Sequence, residues 1–171
     1  MSTLSQSLNK ANENLENDGG VDYDTTHQQL KSLLESENNF VANLANTSSL
    51  LKTNHRYFWV GFYLVEEASQ QLVLGPFQGT LACTRIPYGR GVCGTAWKNQ
   101  ESLYVPNVHE FPGHIACDSR SECEIVIVLK NPTTQKIWGV LDIDSNIVGG
   151  LKMEDFQSLK LIGETISKLG Q

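Results

Sequence analysis

Residues 123–144, CEIVIVLKNPTTQKIWGVLDID, decide the fold. Cys123 to Lys130 and Lys136 to Asp144 are apolar runs of strand length, and Asn131-Pro132 marks a turn between them. Period two puts Cys123, Ile125, Ile127 and Leu129 on one face of the first strand, and Glu124, Val126 and Val128 on the other. Cys123 therefore reads as structural. In the second strand Asp142 and Asp144 share a face within a run that otherwise holds Ile137, Val140, Leu141 and Ile143. If the two strands pair, Glu124 joins the aspartates and three carboxylates line one pocket. Burying like charges costs several kcal/mol unless donors or cations meet them. Crowding also raises at least one pKa, which places a proton donor near neutral pH. The alternative is an exposed strand end with solvated aspartates.

Upstream, Tyr57 to Val65 is a further strand, with Phe58, Val60, Phe62 and Leu64 on one face and Trp59, Gly61 and Tyr63 on the other. The second set predicts an aromatic wall with space left over Gly61, suited to a thioether or a sulfoxide methyl; plain packing is the alternative. Strands follow at Gln71 to Phe77, at about Leu81 to Ile86 and at Leu103 to Val105. Between the last two, Gly89-Arg90-Gly91-Val92-Cys93-Gly94 opens a short helix through Trp97, and its glycine turn offers N–H groups to an anion. Residues 106–122 form a loop long enough to be functional.

Helical spacing begins at Thr25, with a break at Asn38-Asn39. A last amphipathic helix carries Phe156, Leu159, Ile166 and Leu169. Residues 1–24 read as a flexible polar tail and 25–171 as one folded unit. The order predicts an α/β (α+β) domain: one mixed, mostly antiparallel central sheet flanked by helices.

Composition narrows the function. The 171 residues carry 40% hydrophobic and 19% charged side chains with a net charge of −6, and no Lys/Arg block occurs. Nucleic acid and anionic membrane surfaces are poor partners for such a chain. No apolar run approaches the ~18 residues of a membrane span. The N-terminus lacks a secretory signal, so Cys83, Cys93, Cys117 and Cys123 point to a reducing, cytoplasmic setting. No CxxC pair exists, which leaves a zinc ribbon or thioredoxin-type motif unsupported.

Cys117 sits in the long loop before the polar run Ser119-Arg120-Ser121, where a thiol can reach a ligand. Cys83 falls on a strand. Cys93 falls at a helix N-terminus, where the dipole lowers a thiol pKa. Several thiols without metal spacing favour redox work. A weaker reading makes His109, His114 and Cys117 zinc ligands.

Together the stretches WVGFY (59–63), LGPFQG (74–79), AC (82–83), GRGVCGTAW (89–97), FPGHIACD (111–118), EIV (124–126) and GVLDIDS (139–145) resemble the free methionine-(R)-sulfoxide reductases, enzymes built on a GAF domain. The resemblance implies that residues 25–171 are a GAF catalytic domain that reduces free methionine sulfoxide, with the R epimer as substrate. It implies Cys117 as nucleophile, Cys83 as the cysteine that resolves a sulfenic acid into a disulfide, and Cys93 as a supporting or alternative thiol. Glu124, Asp142 and Asp144 match the carboxylates that hold substrate and assist proton transfer, and Trp59 and Tyr63 match the aromatic pocket. Thioredoxin is the implied reductant, and no metal or organic cofactor is called for. The chain departs from the family at Cys123 (usually Ser), at Val128 (usually Pro) and at Gly149-Gly150-Leu151-Lys152.

Two rivals remain at this point. A GAF sensor that only binds a small ligand needs the pocket without the thiols. A cysteine hydrolase needs Cys117 beside an oriented His109 or His114. The assembly state stays open, with a homodimer among the options.

Overall fold

A computed structural model describes residues 22–115 and 117–170. Most of the expected polar tail, residues 1–21, lies outside the described residues. The first helix, α1 (Tyr23–Ser36), starts slightly before Thr25, because the Asp22 carboxylate caps it by accepting the Thr25 N–H at 2.8 Å. The break at Asn38-Asn39 is also a cap: the Asn39 side chain accepts the Ala42 N–H at 2.9 Å and starts α2 (Phe40–His55). Such caps are worth about 1 kcal/mol each.

The strands are β1 (Trp59–Glu66), β2 (Gln71–Gln78), β3 (Arg85–Pro87), β4 (Leu103–Val105), β5 (Cys123–Lys130) and β6 (Ile137–Ser145). Helix α3 (Gly91–Asn99) lies between β3 and β4, and α4 (Met153–Ser167) follows β6. The six strands form one sheet in the order β3-β2-β1-β6-β5-β4. Every described pairing is antiparallel, so the sheet is not mixed. The third strand is shorter than expected, three residues instead of six, and residues 79–84 before it run as a connection.

Period-two alternation gives the sheet two buried faces. One carries Val60, Phe62, Cys123, Ile125, Ile127, Leu129, Leu141 and Ile143, covered by Leu30, Leu44 and Leu51 of α1 and α2 and by Leu159, Ile162 and Ile166 of α4. Each fully buried aliphatic side chain contributes roughly 1.5–3 kcal/mol. Gly163 lets α4 approach closely, since a Cβ there would lie 2.4 Å from Ile127 Cγ2. The other face carries Trp59, Tyr63, Leu72, Val126 and Val140 under Val92, Cys93, Ala96 and Trp97 of α3. The smaller α3 leaves part of this face to be roofed by connections, and a cavity opens there. No helix among the described residues is long and apolar enough to cross a membrane.

Candidate active site

The cavity lies between the β1/β6/β5 face, α3, and the connections 79–84 and 106–122. Water-sized spheres fit in about 30 Å³ of it, and the space counted together with the open solvent it leads to is about 470 Å³. Pairing of β5 with β6 sets Glu124 opposite Asp144, and Val126 opposite Asp142. Pairing of β6 with β1 sets Asp144 opposite Trp59, and Asp142 opposite Gly61. Directly opposed residues point to the same face, so all three carboxylates line the cavity, with Trp59 and Tyr63 beside them.

The strand end is not a solvated one. Glu124 and Asp142 are each only 6% exposed. No lysine or arginine among the described residues lines the cavity. Burial pushes the Asp142 carboxyl up to about 7, against the opposing pull of hydrogen bonds from Cys93, Glu124 and the Ile143 backbone. Glu124 is pushed well above the carboxylate range by burial and then by the charges of Asp142 and Asp144. Asp144 rises by burial and by the Asp142 charge, with a hydrogen bond from Ser121 working against it. One carboxylate oxygen, Asp142 Oδ1, is buried without a partner among the described residues. The wall therefore gathers three acidic groups away from water with no Lys or Arg among the described residues beside them, which suits a positively charged occupant.

The two connections are joined beside the cavity through a disulfide. Cys83 and Cys117 are joined, with Cα atoms 5.0 Å apart and a sequence separation of 34. Both are half-buried, and Cys117 lines the cavity. The aromatic pair has a second task besides forming the wall. Tyr63 Oη donates to the Cys83 carbonyl at 2.9 Å, and Trp59 Nε1 donates to the Thr80 carbonyl at 2.9 Å. Both ends of the Cys83 connection thus hang from β1.

Three expectations need correction. The space over Gly61 is filled: a Cβ there would lie 2.6 Å from Trp59 Cη2 and 2.4 Å from Phe77 Cβ, so the glycine makes room for the indole rather than for a ligand. Cys93 is buried at the start of α3, and its thiol pKa is raised, not lowered. Desolvation and the charges of Asp142, Glu124 and Asp144 outweigh the helix dipole. Its Sγ donates to Glu124 Oε1 at 3.7 Å and remains a free thiol. The turn at Gly89-Arg90-Gly91 is no anion cradle, because its N–H groups are donated to Gly94, Pro87 and Gly113 carbonyls.

Among the described residues His109, His114 and Cys117 do not come together as a metal-binding group. His109 Nε2 pairs with Glu122 at 2.7 Å on the surface. His114 lines the cavity, Nδ1 is buried without a described partner, and burial lowers its pKa. Cys117 is bonded to a second thiol, Cys83, which a cysteine hydrolase does not need, and His109 is engaged with Glu122. Cys123 lies on the opposite sheet face, fully buried, 4.0 Å from the Leu151 carbonyl oxygen.

Asp118 was not singled out from sequence. It accepts from Thr80 Oγ1 at 2.6 Å, and from Arg120 Nε and Nη2 at 3.0 and 2.8 Å. The Arg120 guanidinium in turn lies 5.0 Å over the Phe58 ring. Beside the disulfide, this strap is a second tie between the two connections. Adjacency to Cys117 was its only sequence signal, because Thr80 lies 38 residues away.

No family model matches the chain. It is 46% identical to the free methionine-R-sulfoxide reductase of Escherichia coli strain K12, over 86% of this chain and 87% of the relative. The enzyme of the same name from Saccharomyces cerevisiae is 39% identical over 81% of this chain and 79% of its own. Among solved structures, free methionine-R-sulfoxide reductase from Neisseria meningitidis in complex with its substrate superposes with a TM-score of 0.84. It shares 43% identity over 88% of this chain and 92% of that one. With the same fold, and with 39–46% identity over 81–88% of its length, the chain belongs to the GAF-fold family of free methionine-R-sulfoxide reductases.

Proposed function

We propose that this protein reduces free methionine (R)-sulfoxide to methionine, with Cys117 attacking the sulfoxide sulfur. The observation that carries the reading is the Cys83–Cys117 disulfide beside a cavity lined by three carboxyls, of which Glu124 and Asp142 are buried and Asp144 is half-buried. A sulfoxide oxygen leaves only when protonated. Glu124, Asp142 and Asp144 are all raised, so at least one carries a proton near neutral pH and serves as the acid. Methionine departs and Cys117 is left as a sulfenic acid. Cys83 attacks that sulfur, water is lost, and the disulfide forms. The sum is one sulfoxide and two thiols giving one thioether, one disulfide and one water. A dithiol protein of the thioredoxin class reduces the disulfide, to which both half-buried sulfurs give access. Cys93 stays protonated and supports the acid cluster through Glu124.

The remaining ionised carboxylates receive the substrate's α-ammonium, and Trp59 and Tyr63 flank its methylsulfinyl group. The test is a single turnover of fully reduced protein with each epimer. The R epimer should yield one methionine and consume two thiols per chain. Loss of no thiols, with substrate merely bound, favours a ligand-binding GAF module instead.

A further inference from the structure

Beyond that reaction, the geometry points to a binding site for a thiophilic divalent cation of the zinc class, formed by Cys93, Glu124 and Asp142. One ligand atom from each lies within 4.8 Å of the other two, and all three side chains are buried. The Cys93–Glu124 contact has the span that zinc needs. Zinc–sulfur and zinc–oxygen bonds of about 2.3 and 2.1 Å at a tetrahedral angle put the two ligand atoms roughly 3.6 Å apart. Cys93 Sγ and Glu124 Oε1 are 3.7 Å apart. An independent observation points to the same occupant: Asp142 is only 6% exposed, and its Oδ1 is buried with no partner among the described residues. An acceptor in that state asks for a cation or a donor.

The three residues come from α3, β5 and β6, elements fixed by the two packed sheet faces, so the donor set is preorganised. Thiolate plus two carboxylates leaves a fourth position toward the cavity, open to water. Binding displaces the Cys93 thiol proton, and any carboxyl proton, to the buffer; a sulfur–zinc bond forms and nothing is oxidised or reduced. A dication held there occupies the same carboxylates as a substrate ammonium and would exclude it.

The protein with its Cys83–Cys117 disulfide intact allows a test that does not depend on the reductase reading, because Cys93 and Cys123 are then its free thiols. Zn2+ is titrated by calorimetry in buffers of different ionisation enthalpy, and Co2+ serves as the spectroscopic probe. The expected result is one Zn2+ per chain with release of at least one proton, and a thiolate-to-cobalt charge-transfer band. Cys93→Ser should abolish the band and weaken Zn2+ by more than the roughly 10–100-fold cost of losing an outer-shell partner. Asp142→Asn should weaken it without loss of the folded circular dichroism spectrum, and Cys123→Ser should change nothing. Absence of binding, binding that survives Cys93→Ser, or a band that follows Cys123 overturns the site.

Discussion

Removing the α-ammonium from the substrate should weaken catalysis by two to three orders of magnitude. Glu124 and Asp142 are each 6% exposed, and no lysine or arginine among the described residues lines their cavity. A unit charge pair 4 Å apart is worth about 4 kcal/mol at an effective dielectric of 20. Breaking one partner out of a buried pair costs about 3–5 kcal/mol. At about 1.4 kcal/mol per decade, the roughly 3–4 kcal/mol on which the two figures agree is about 10²- to 10³-fold in kcat/KM. Two analogues separate charge from bulk. N-acetyl methionine sulfoxide amide lacks the charge and is larger, as a peptide would be, whereas 4-(methylsulfinyl)butanoate lacks only the amine. Both should fall by that factor when assayed with a small dithiol as reductant. Values for 4-(methylsulfinyl)butanoate within about threefold of free methionine sulfoxide would refute the reasoning and leave the carboxyls a role in proton transfer alone.

The remaining expectations are briefer. Cys83→Ser should release one methionine per chain at the wild-type rate and then stop, with a sulfenic acid trappable on Cys117; continued turnover would assign resolution to Cys93. Asp142 binds its proton more tightly folded (about 7) than unfolded (3.8), so its contribution to stability is full below about pH 4 and is lost as pH rises through 7. His55, lowered to about 4 by burial, works in the opposite sense between about pH 4 and 6.5, so the difference between wild type and Asp142→Asn is the quantity to read. Thermal denaturation should show Asp142→Asn gaining on wild type as pH rises from about 4 to 8, the more so because the substitution also removes a charge that raises Glu124 and Asp144, and a flat difference would contradict the shift. Gly163→Ala should destabilise: a Cβ 2.4 Å from Ile127 Cγ2 overpacks the interface by about 1–3 kcal/mol, against a helix-propensity gain of at most about 1. An unchanged melting temperature would show that the helix can shift at no cost.

Alternation made much of the site readable in advance. The runs at 123–130 and 136–144 put Cys123 and Glu124 on opposite faces, and the structure seats the first under Leu151 and the second in the cavity. Asp142 and Asp144 shared a face in sequence for the same reason, and the β5/β6 register brings Glu124 opposite Asp144. What could not be read was set by partners distant in the chain. A helix N-terminus suggests a low thiol pKa for Cys93, but burial raises it, and so do carboxylates on strands 31 or more residues downstream. Gly61 looks like an opening until the Trp59 indole is found over it. The Gly89–Gly91 turn looks like a row of free donors until the Gly113 carbonyl takes the Gly91 N–H. The Thr80–Asp118 tie needs two loops to meet, and loop encounters carry no periodicity.

The most direct test of the central claim is a single turnover of fully reduced Cys117→Ser with free methionine (R)-sulfoxide, with methionine and free thiols counted against wild type. Wild type should release one methionine and lose two thiols per chain as the Cys83–Cys117 disulfide reforms. Cys117→Ser should release none and keep its thiols while its fold and melting temperature are preserved. Methionine release by Cys117→Ser at near the wild-type rate would contradict the account, because the attacking sulfur would then be another one.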